Sequence, residues 1–254
     1  MPLFCIFAAM KRAIVIGASS GIGRQVAQLL IQNGWHVGLG SRRIELIDEL
    51  KAMAPDRVYT ASIDVTNPNA TKSLLSLIDK LGGMGLYIHV AGIGFQNAML
   101  DEEKELSTLN TNVVGFSRMV GEAFRFFASH AGGHIVVVSS IAGTKGMGAA
   151  AAYSCSKAFQ SAYTDALQQI SASRNLHIQF TDVRPGFVDT ELLASSNGRF
   201  PMMISSRKAA KSIIKAVYKK KRVTYIDWRW RIVAWLWRWL PLSLWRRFDF
   251  FTIR

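Results

Sequence analysis

AIVIGASSGIG, residues 13–23, is the stretch whose reading decides the fold. The apolar run Ala13 to Ile16 has the composition of a buried strand, and Gly17, Gly21 and Gly23 punctuate a turn into a helix that starts near Ile22. Glycines at such a turn let the backbone approach a pyrophosphate closely, while the amides and dipole of the helix N-terminus favour its negative charge. The spacing is GxxxGxG instead of the commoner GxGxxG. Packing alone also produces glycine-rich turns, so the meaning of this one depends on the segments around it.

Outward from this turn, short apolar runs alternate with longer periodic segments. HVGLG (36–40), RVYTASIDV (57–65), LYIHVAG (86–92), HIVVVSS (134–140) and HIQFTDVRPG (177–186) read as further strands. Helical patterns run to about Asn33, to about Met53, from about Glu103 to Ala128 and from about Ala150 to Ser173. Val/Ile-rich strands separated by helices of this length indicate a parallel sheet buried on both faces, and right-handed crossovers make it an α/β, doubly wound, Rossmann-like layer structure. No repeat or low-complexity linker divides it, so a single domain is expected over residues 11–226, with 1–10 as an N-terminal extension and 227–254 as a C-terminal tail. MPLFCIFAAM lacks the leading positive charge of a signal peptide and is too short to span a bilayer, so it reads as an extension or as the product of an upstream start codon.

Half of the 254 residues are hydrophobic and 19% are charged, which excludes disorder, and Cys5 and Cys155 are too few for a disulfide framework. Cys155 is assigned a packing role. The five histidines form no metal-ligand spacing, so no metal is expected. The formal charge of +14 is unevenly placed: residues 1–206 carry 17 Lys and Arg against 15 Asp and Glu, and residues 207–254 carry 14 against 2. Whatever partner the charge implies must therefore meet the tail.

An NAD site places an acidic residue at the end of the second strand, about 20 residues beyond the glycines, to hold the ribose 2′-hydroxyl. Here that strand ends GLGSRR, with Arg42 and Arg43 in its place. A guanidinium grips a 2′-phosphate through two parallel hydrogen bonds, so NADP(H) is the expected cofactor; a solvated arginine pair opening the next helix is the bland alternative.

YSCSK, Tyr153 to Lys157, puts a phenol and an ammonium one helical turn apart, where they share a face. Alone this is an ordinary amphipathic helix. Together with IGASSGIG (16–23), IDV (63–65), HVAG (89–92), NVVG (112–115), VVSSIAG (137–143) and RPGFVDT (184–190), it makes the chain resemble a short-chain dehydrogenase/reductase across residues 11 to about 226. The resemblance implies an oxidoreductase in which Tyr153 is the general acid, Lys157 stabilises its phenolate and binds the nicotinamide ribose, Ser140 holds the substrate oxygen, and Asn112 positions a water connecting Lys157 to solvent. It assigns Gly17, Ser19, Ser20, Gly21, Ile22 and Gly23 to the cofactor phosphates, Asp64 and Val65 to the adenine, Ala91 and Gly92 to the ribose wall, and Pro185, Gly186, Val188 and Thr190 to the nicotinamide and its phosphate. A homo-oligomer, dimer or tetramer, is also implied. Two departures stand out: Ile16 replaces a threonine, and His89-Val90 replace two asparagines that usually brace the central strand and adjoin the cofactor.

The tail, VTYIDWRWRIVAWLWRWLPLSLWRRFDFF (223–251), holds six of the seven tryptophans. Arg231, Arg238, Arg246 and Arg247 interrupt every apolar run, and each arginine at the centre of a span costs roughly 2.5–3.5 kcal/mol on insertion scales. Interleaved Trp and Arg suit a monotopic anchor on an anionic membrane. Packing on the body or on a second subunit, and nucleic-acid binding through stacking and phosphate contacts, are the alternatives, nucleic acid the weakest. A membrane-hugging chain, cytoplasmic with peripheral attachment to the cytoplasmic face, would take its substrate from lipid. ELLASSNGRFPMMIS (191–205), read as a lid, has an apolar end carrying Met202 and Met203, suited to an irregular oily ligand. The expected reaction is NADPH-dependent reduction of a ketolipid, steroid-like or retinoid-like carbonyl. A 3-oxoacyl carrier-protein reductase, against which the missing Gly-rich terminus counts, and a non-catalytic dinucleotide-binding scaffold are the alternatives.

Overall fold

The computed structural model describes residues 11–194 and 200–247. The expected N-terminal extension, part of the expected lid (195–199) and the end of the tail from 248 lie outside the described residues. Seven strands form one parallel sheet: β1 (Arg12–Ile16), β2 (His36–Ser41), β3 (Val58–Ser62), β4 (Leu86–His89), β5 (Gly133–Val138), β6 (Ile178–Pro185) and β9 (Val223–Ile226). A separate two-stranded ribbon pairs β7 (Val188–Asp189) with β8 (Ile204–Ser205). The spatial order is β3-β2-β1-β4-β5-β6-β9, which makes the sheet doubly wound, the class expected from the alternation of apolar and helical segments. Strand order reverses between β1 and β4, and a crevice opens there at the carboxyl ends of the strands, where open α/β sheets bind ligands.

Successive side chains of a strand point to opposite faces, so β1 feeds two cores. Ala13 and Val15 pack with Val26 and Leu30 of α1 (Gly21–Gln32), Ile47 of α2 (Ile44–Lys51) and Ile213 of the later helix Ser206–Tyr218. Ile14 and Ile16 face the other way, onto Leu74 and Leu77 of α3 (Ala70–Leu81) and the large aromatics Phe116 and Phe127. The long helix expected from Glu103 is split: α4 (Glu102–Leu109) passes through a π-helical turn at Asn110–Gly115 into α5 (Phe116–Ser129). Such turns occur mostly as single-turn bulges, frequently at functional sites, and this one carries Asn112. Then come α6 (Ala151–Ser173), the short α7 (Glu191–Ala194) and α8 (Ser206–Tyr218). The helices α3 and α8 and the edge strand β9 have no counterpart in the sequence reading, although Ser205 caps α8 by accepting from Lys208 N.

The tail continues the fold. Asp227 caps α9 (Trp228–Trp239) by accepting from Arg229 N at 3.0 Å, and α10 (Leu242–Trp245) follows Pro241. Trp230, Ala234 and Trp245 are buried; Lys145 Nζ donates to Leu240 O (2.9 Å) and Trp245 Nε1 to Gly146 O (2.7 Å), tying both helices to the loop after β5. Among the described residues no helix is long and apolar enough to cross a membrane.

Candidate active site

A cleft of about 460 Å³ lies over the ends of β1, β2 and β4. It is lined by Gly17, Ser19, Ser20, Gly21, Ile22 and Gly23 from the first turn, Arg42 and Arg43 from the end of β2, Asp64 and Val65 beyond β3, Ala91 and Gly92 beyond β4, and Thr190. Gly17 has φ +91°, and a Cβ there would fall 2.6 Å from Ala91 N, so the floor of this cleft is open only because the residue has no side chain. Arg43 Nη2 donates to Ser19 Oγ (3.2 Å), Ser20 Oγ (3.1 Å) and Glu191 Oε2 (2.8 Å). Arg42 stands near Asp64, whose carboxyl is held low by hydrogen bonds from Thr66 and by this guanidinium, against the opposing effect of burial. Val188 is buried in the core instead of lining the cleft, which leaves only its peptide groups for a ligand. Pro185 does not line this cleft either; its carbonyl accepts from the Ser140 hydroxyl at 3.4 Å.

Ser140, Tyr153 and Lys157 converge where β5 ends against α6. Ser140 Oγ accepts from Ala142 N (3.1 Å), which fixes it at the start of a short 3₁₀ turn. The Tyr153 ring lies against Gly94, where a Cβ would come within 2.3 Å of it. Burial raises the phenol above its ordinary pKa, and its hydrogen bond with Ser140 acts the other way. The expected lowering by Lys157 is not seen in this arrangement. The ammonium sits 5.7 Å from the centroid of the tyrosine ring, and desolvation dominates.

Lys157 itself is buried and donates to Val138 O and Gln160 Oε1, both at 3.0 Å. Burial pulls its pKa down to about 8, with Asp182 opposing. Asp182 is bonded by Ser139 and paired with Arg184 at 2.7 Å. Asn112 is fully buried: Oδ1 accepts from Ile93 N (2.9 Å), and Nδ2 donates to Ile93 O (2.7 Å) and Ser156 Oγ (3.0 Å). Its carbonyl accepts from Gln160 Nε2 at 2.9 Å.

A second cavity, of about 120 Å³, has Ser140 and Tyr153 in its wall and Phe95, Ile141, Met147, Phe187, Leu193, Phe200 and Trp237 around them. Gly94, Phe95 and Leu192 line both cavities, so the two are contiguous. Met202 and Met203 do not line this second cavity, and Met203 is exposed; Leu192, Leu193 and Phe200 supply the apolar wall from that segment instead. Cys155 is also exposed, so the packing role expected for it does not hold, because its position on α6 faces away from the body.

Sequence reasoning missed Gly94, Gln160, Glu191 and Trp237. Gln160 had a signal: three residues beyond Lys157 on a helix, it shares that residue's face. Trp237 had none, because nothing local to the tail says which of its tryptophans turns inward.

The family model for short chain dehydrogenase matches residues 11–199. An uncharacterized oxidoreductase of Myxococcus xanthus is 32% identical over 225 residues, 86% of this chain and 88% of that one. Carbonyl reductase family member 4 of Danio rerio is 34% identical over 188 residues, covering 72% and 78%. A solved short chain dehydrogenase from Burkholderia cenocepacia, in complex with NADP, has the same fold, with a TM-score of 0.76 at 24% identity over 88% of this chain and 91% of that one.

Proposed function

The chain belongs to the short-chain dehydrogenase family, and on that premise we propose that it is an NADP(H)-dependent oxidoreductase that reduces the carbonyl of a lipophilic substrate to an alcohol. The observation that carries this reading is the placement of Ser140 and Tyr153 in the wall of an apolar cavity that opens directly into the glycine-floored cleft. The residues of the cleft suit a dinucleotide phosphate. Gly17 removes the side chain that would obstruct close approach, the N-terminus of α1 faces the space, and Arg42 has no hydrogen-bond partner among the described residues. When bound, the dinucleotide would supply the hydride. The chain's own groups supply the rest: Ser140 holds the substrate oxygen, Tyr153 donates a proton to it, and the Lys157 charge stabilises the phenolate left behind. A phenol is in its protonated form at neutral pH, as the donor role requires. NADP in the Burkholderia cenocepacia structure and the carbonyl reductase name of the Danio rerio relative agree with this reading.

The lipophilic substrate rests on the cavity wall, which is aromatic and aliphatic apart from Ser140, Tyr153 and Gln96. It also rests on the tail. Trp230, Ala234 and Trp237 form one helical stripe turned to the body, whereas Trp228, Ile232, Trp235, Leu236 and Trp239 form another that stays exposed. An uncovered apolar stripe bordered by Arg231 and Arg238 fits the interface of an anionic membrane, with Trp237 on the opposite side walling the substrate cavity. Following NADPH absorbance across ketolipids, steroids, retinoids and acyl thioesters tests the reading. Turnover confined to carrier-type thioesters points to the acyl-carrier alternative, and tight cofactor binding without any turnover points to a scaffold.

A further inference from the structure

We propose that Gln160 is a positioning residue of the active site, whose carboxamide locks the Lys157 ammonium to the main chain of the π-helical turn. The inference rests on the family reading of Lys157 but concerns a residue that this reading does not assign.

The geometry is a closed chain of buried contacts. Gln160 is 1% exposed, Asn112 0% and Lys157 5%. The carboxamide oxygen accepts from Lys157 Nζ at 3.0 Å while its nitrogen donates to Asn112 O at 2.9 Å, so the two ends of one planar group fix each other's orientation. Asn112 is held in turn by both peptide groups of Ile93, which lines the cofactor cleft. The Gln160 carbonyl accepts from Thr164 Oγ1 at 2.7 Å, bracing the same turn of α6.

The chemistry of the two groups has two consequences. An ammonium has three protons; Val138 O and Gln160 Oε1 take two, which leaves one for the side on which Tyr153 and the cleft lie. And a carboxamide accepts a hydrogen bond without passing a proton on. Where a water between Lys157 and the Asn112 carbonyl would relay protons, Gln160 makes the link a fixed one. Lys157 then works as a held charge and donor.

The other groups that act on Lys157 are Asp182 on β6, which favours the charged form, neutral His89 on β4, Tyr153 on its own helix and the Val138 carbonyl of β5. None of them replaces the carboxamide. Gln160→Met keeps the length and loses the acceptor; Gln160→Glu keeps the acceptor and adds a charge. The test is the titration of Lys157 followed through its ¹³Cε and ¹⁵Nζ resonances in uniformly labelled apoprotein, assigned with Lys157→Arg. The midpoint, near 8 in the parent, should fall by about one pH unit in Gln160→Met and rise by at least that in Gln160→Glu, as expected for loss or strengthening of a hydrogen bond to a charged group. Once a substrate is found, the alkaline limb of turnover should move in the same two directions. Unchanged midpoints in both variants, with only the melting temperature lowered, would show that Gln160 merely fills space and would overturn the proposal. Because the resonance titrates without cofactor or substrate, that failure is separate from failure of the proposed reaction.

Discussion

Arg43 reaches across the mouth of the cofactor cleft to Glu191, joining the end of β2 to the segment after β7 through a 2.8 Å ion pair. Both side chains are substantially exposed, so the pair contributes little to stability. Its importance is competitive. The carboxylate holds the guanidinium that a 2′-phosphate would seek, and Arg42 stands beside it near Asp64, with no hydrogen-bond partner among the described residues. Glu191→Gln should therefore tighten NADPH binding and leave NADH nearly unchanged. Arg42→Ala should weaken NADPH roughly 10- to 100-fold more than NADH, the range for one charge-assisted contact. Fluorescence titration of both cofactors decides the matter; equal losses would remove the arginine pair from the 2′-phosphate role.

Tyr153→Phe should leave cofactor affinity intact and lower turnover by about 10²–10⁴-fold, the usual contribution of a positioned acid. Lys157→Ala should damage both, because its ammonium lies against the cleft as well as beside the phenol. The parent enzyme should lose reductase activity as pH rises through about 8, where Lys157 gives up its charge. Good turnover by Tyr153→Phe would identify a different acid.

The candidate catalytic groups were named through the resemblance, which rests on short motifs whose order and spacing can be read along the chain. Tyr153, Lys157 and Ser140 stand in YSCSK and VVSSIAG, and the doubly wound class of the sheet follows from the alternation of apolar strands and helical segments. What was hidden is what the chain brings together from afar. Gly94 makes room for the Tyr153 ring, Asn112 depends on a π-helical turn with no sequence signature, and Trp237 reaches the apolar cavity beside Tyr153 from a segment read as an appendage. Exposure deceived in both directions, since Cys155 faces solvent and Trp230 the core. The pattern W-R-W-R (228–231) does not say which side of a helix turns inward until something packs against one of them.

His89, standing where the family usually has asparagine, is buried and bonded through Nδ1 to the Tyr87 hydroxyl at 3.0 Å. Burial, aided by the Lys157 charge, pulls its pKa from 6.5 to about 3. Between these values the unfolded chain binds a proton that the native one refuses, so stability falls with falling pH from about 6.5 towards 3, at up to roughly 1.4 kcal/mol per pH unit. His134, pulled to about 4, adds to the slope in the upper part of that window. Urea unfolding between pH 5 and 6.5 should show this dependence, and His89→Asn should flatten it by about one proton's worth. An unchanged slope in the variant would mean that His89 titrates normally.

The two stripes of α9 make separable predictions. Trp235→Ser with Trp239→Ser alters only the exposed stripe, so folding and cofactor binding should be retained while cosedimentation with phosphatidylglycerol vesicles is lost. Trp230→Ala should act in the opposite way. A Cβ on Gly186 would lie 2.1 Å from the Trp230 Nε1, so the indole fills the space over the strand end beside the apolar cavity, and its removal should cost about 3–5 kcal/mol of stability, the range for truncating a buried tryptophan. For the same reason, ending the chain at Ile226 should uncover Gly186 and open the cavity wall at Trp237. Salt should weaken vesicle binding only in part, because arginine attraction is screened beyond roughly 8 Å at physiological ionic strength whereas buried indole surface is nearly insensitive to it. Complete loss at moderate salt would assign the tail to a purely electrostatic partner such as nucleic acid. If the parent protein ignores vesicles, and the Trp235/Trp239 variant changes its subunit number instead, the exposed stripe is a contact between copies of the chain, and the membrane source of the substrate falls with it.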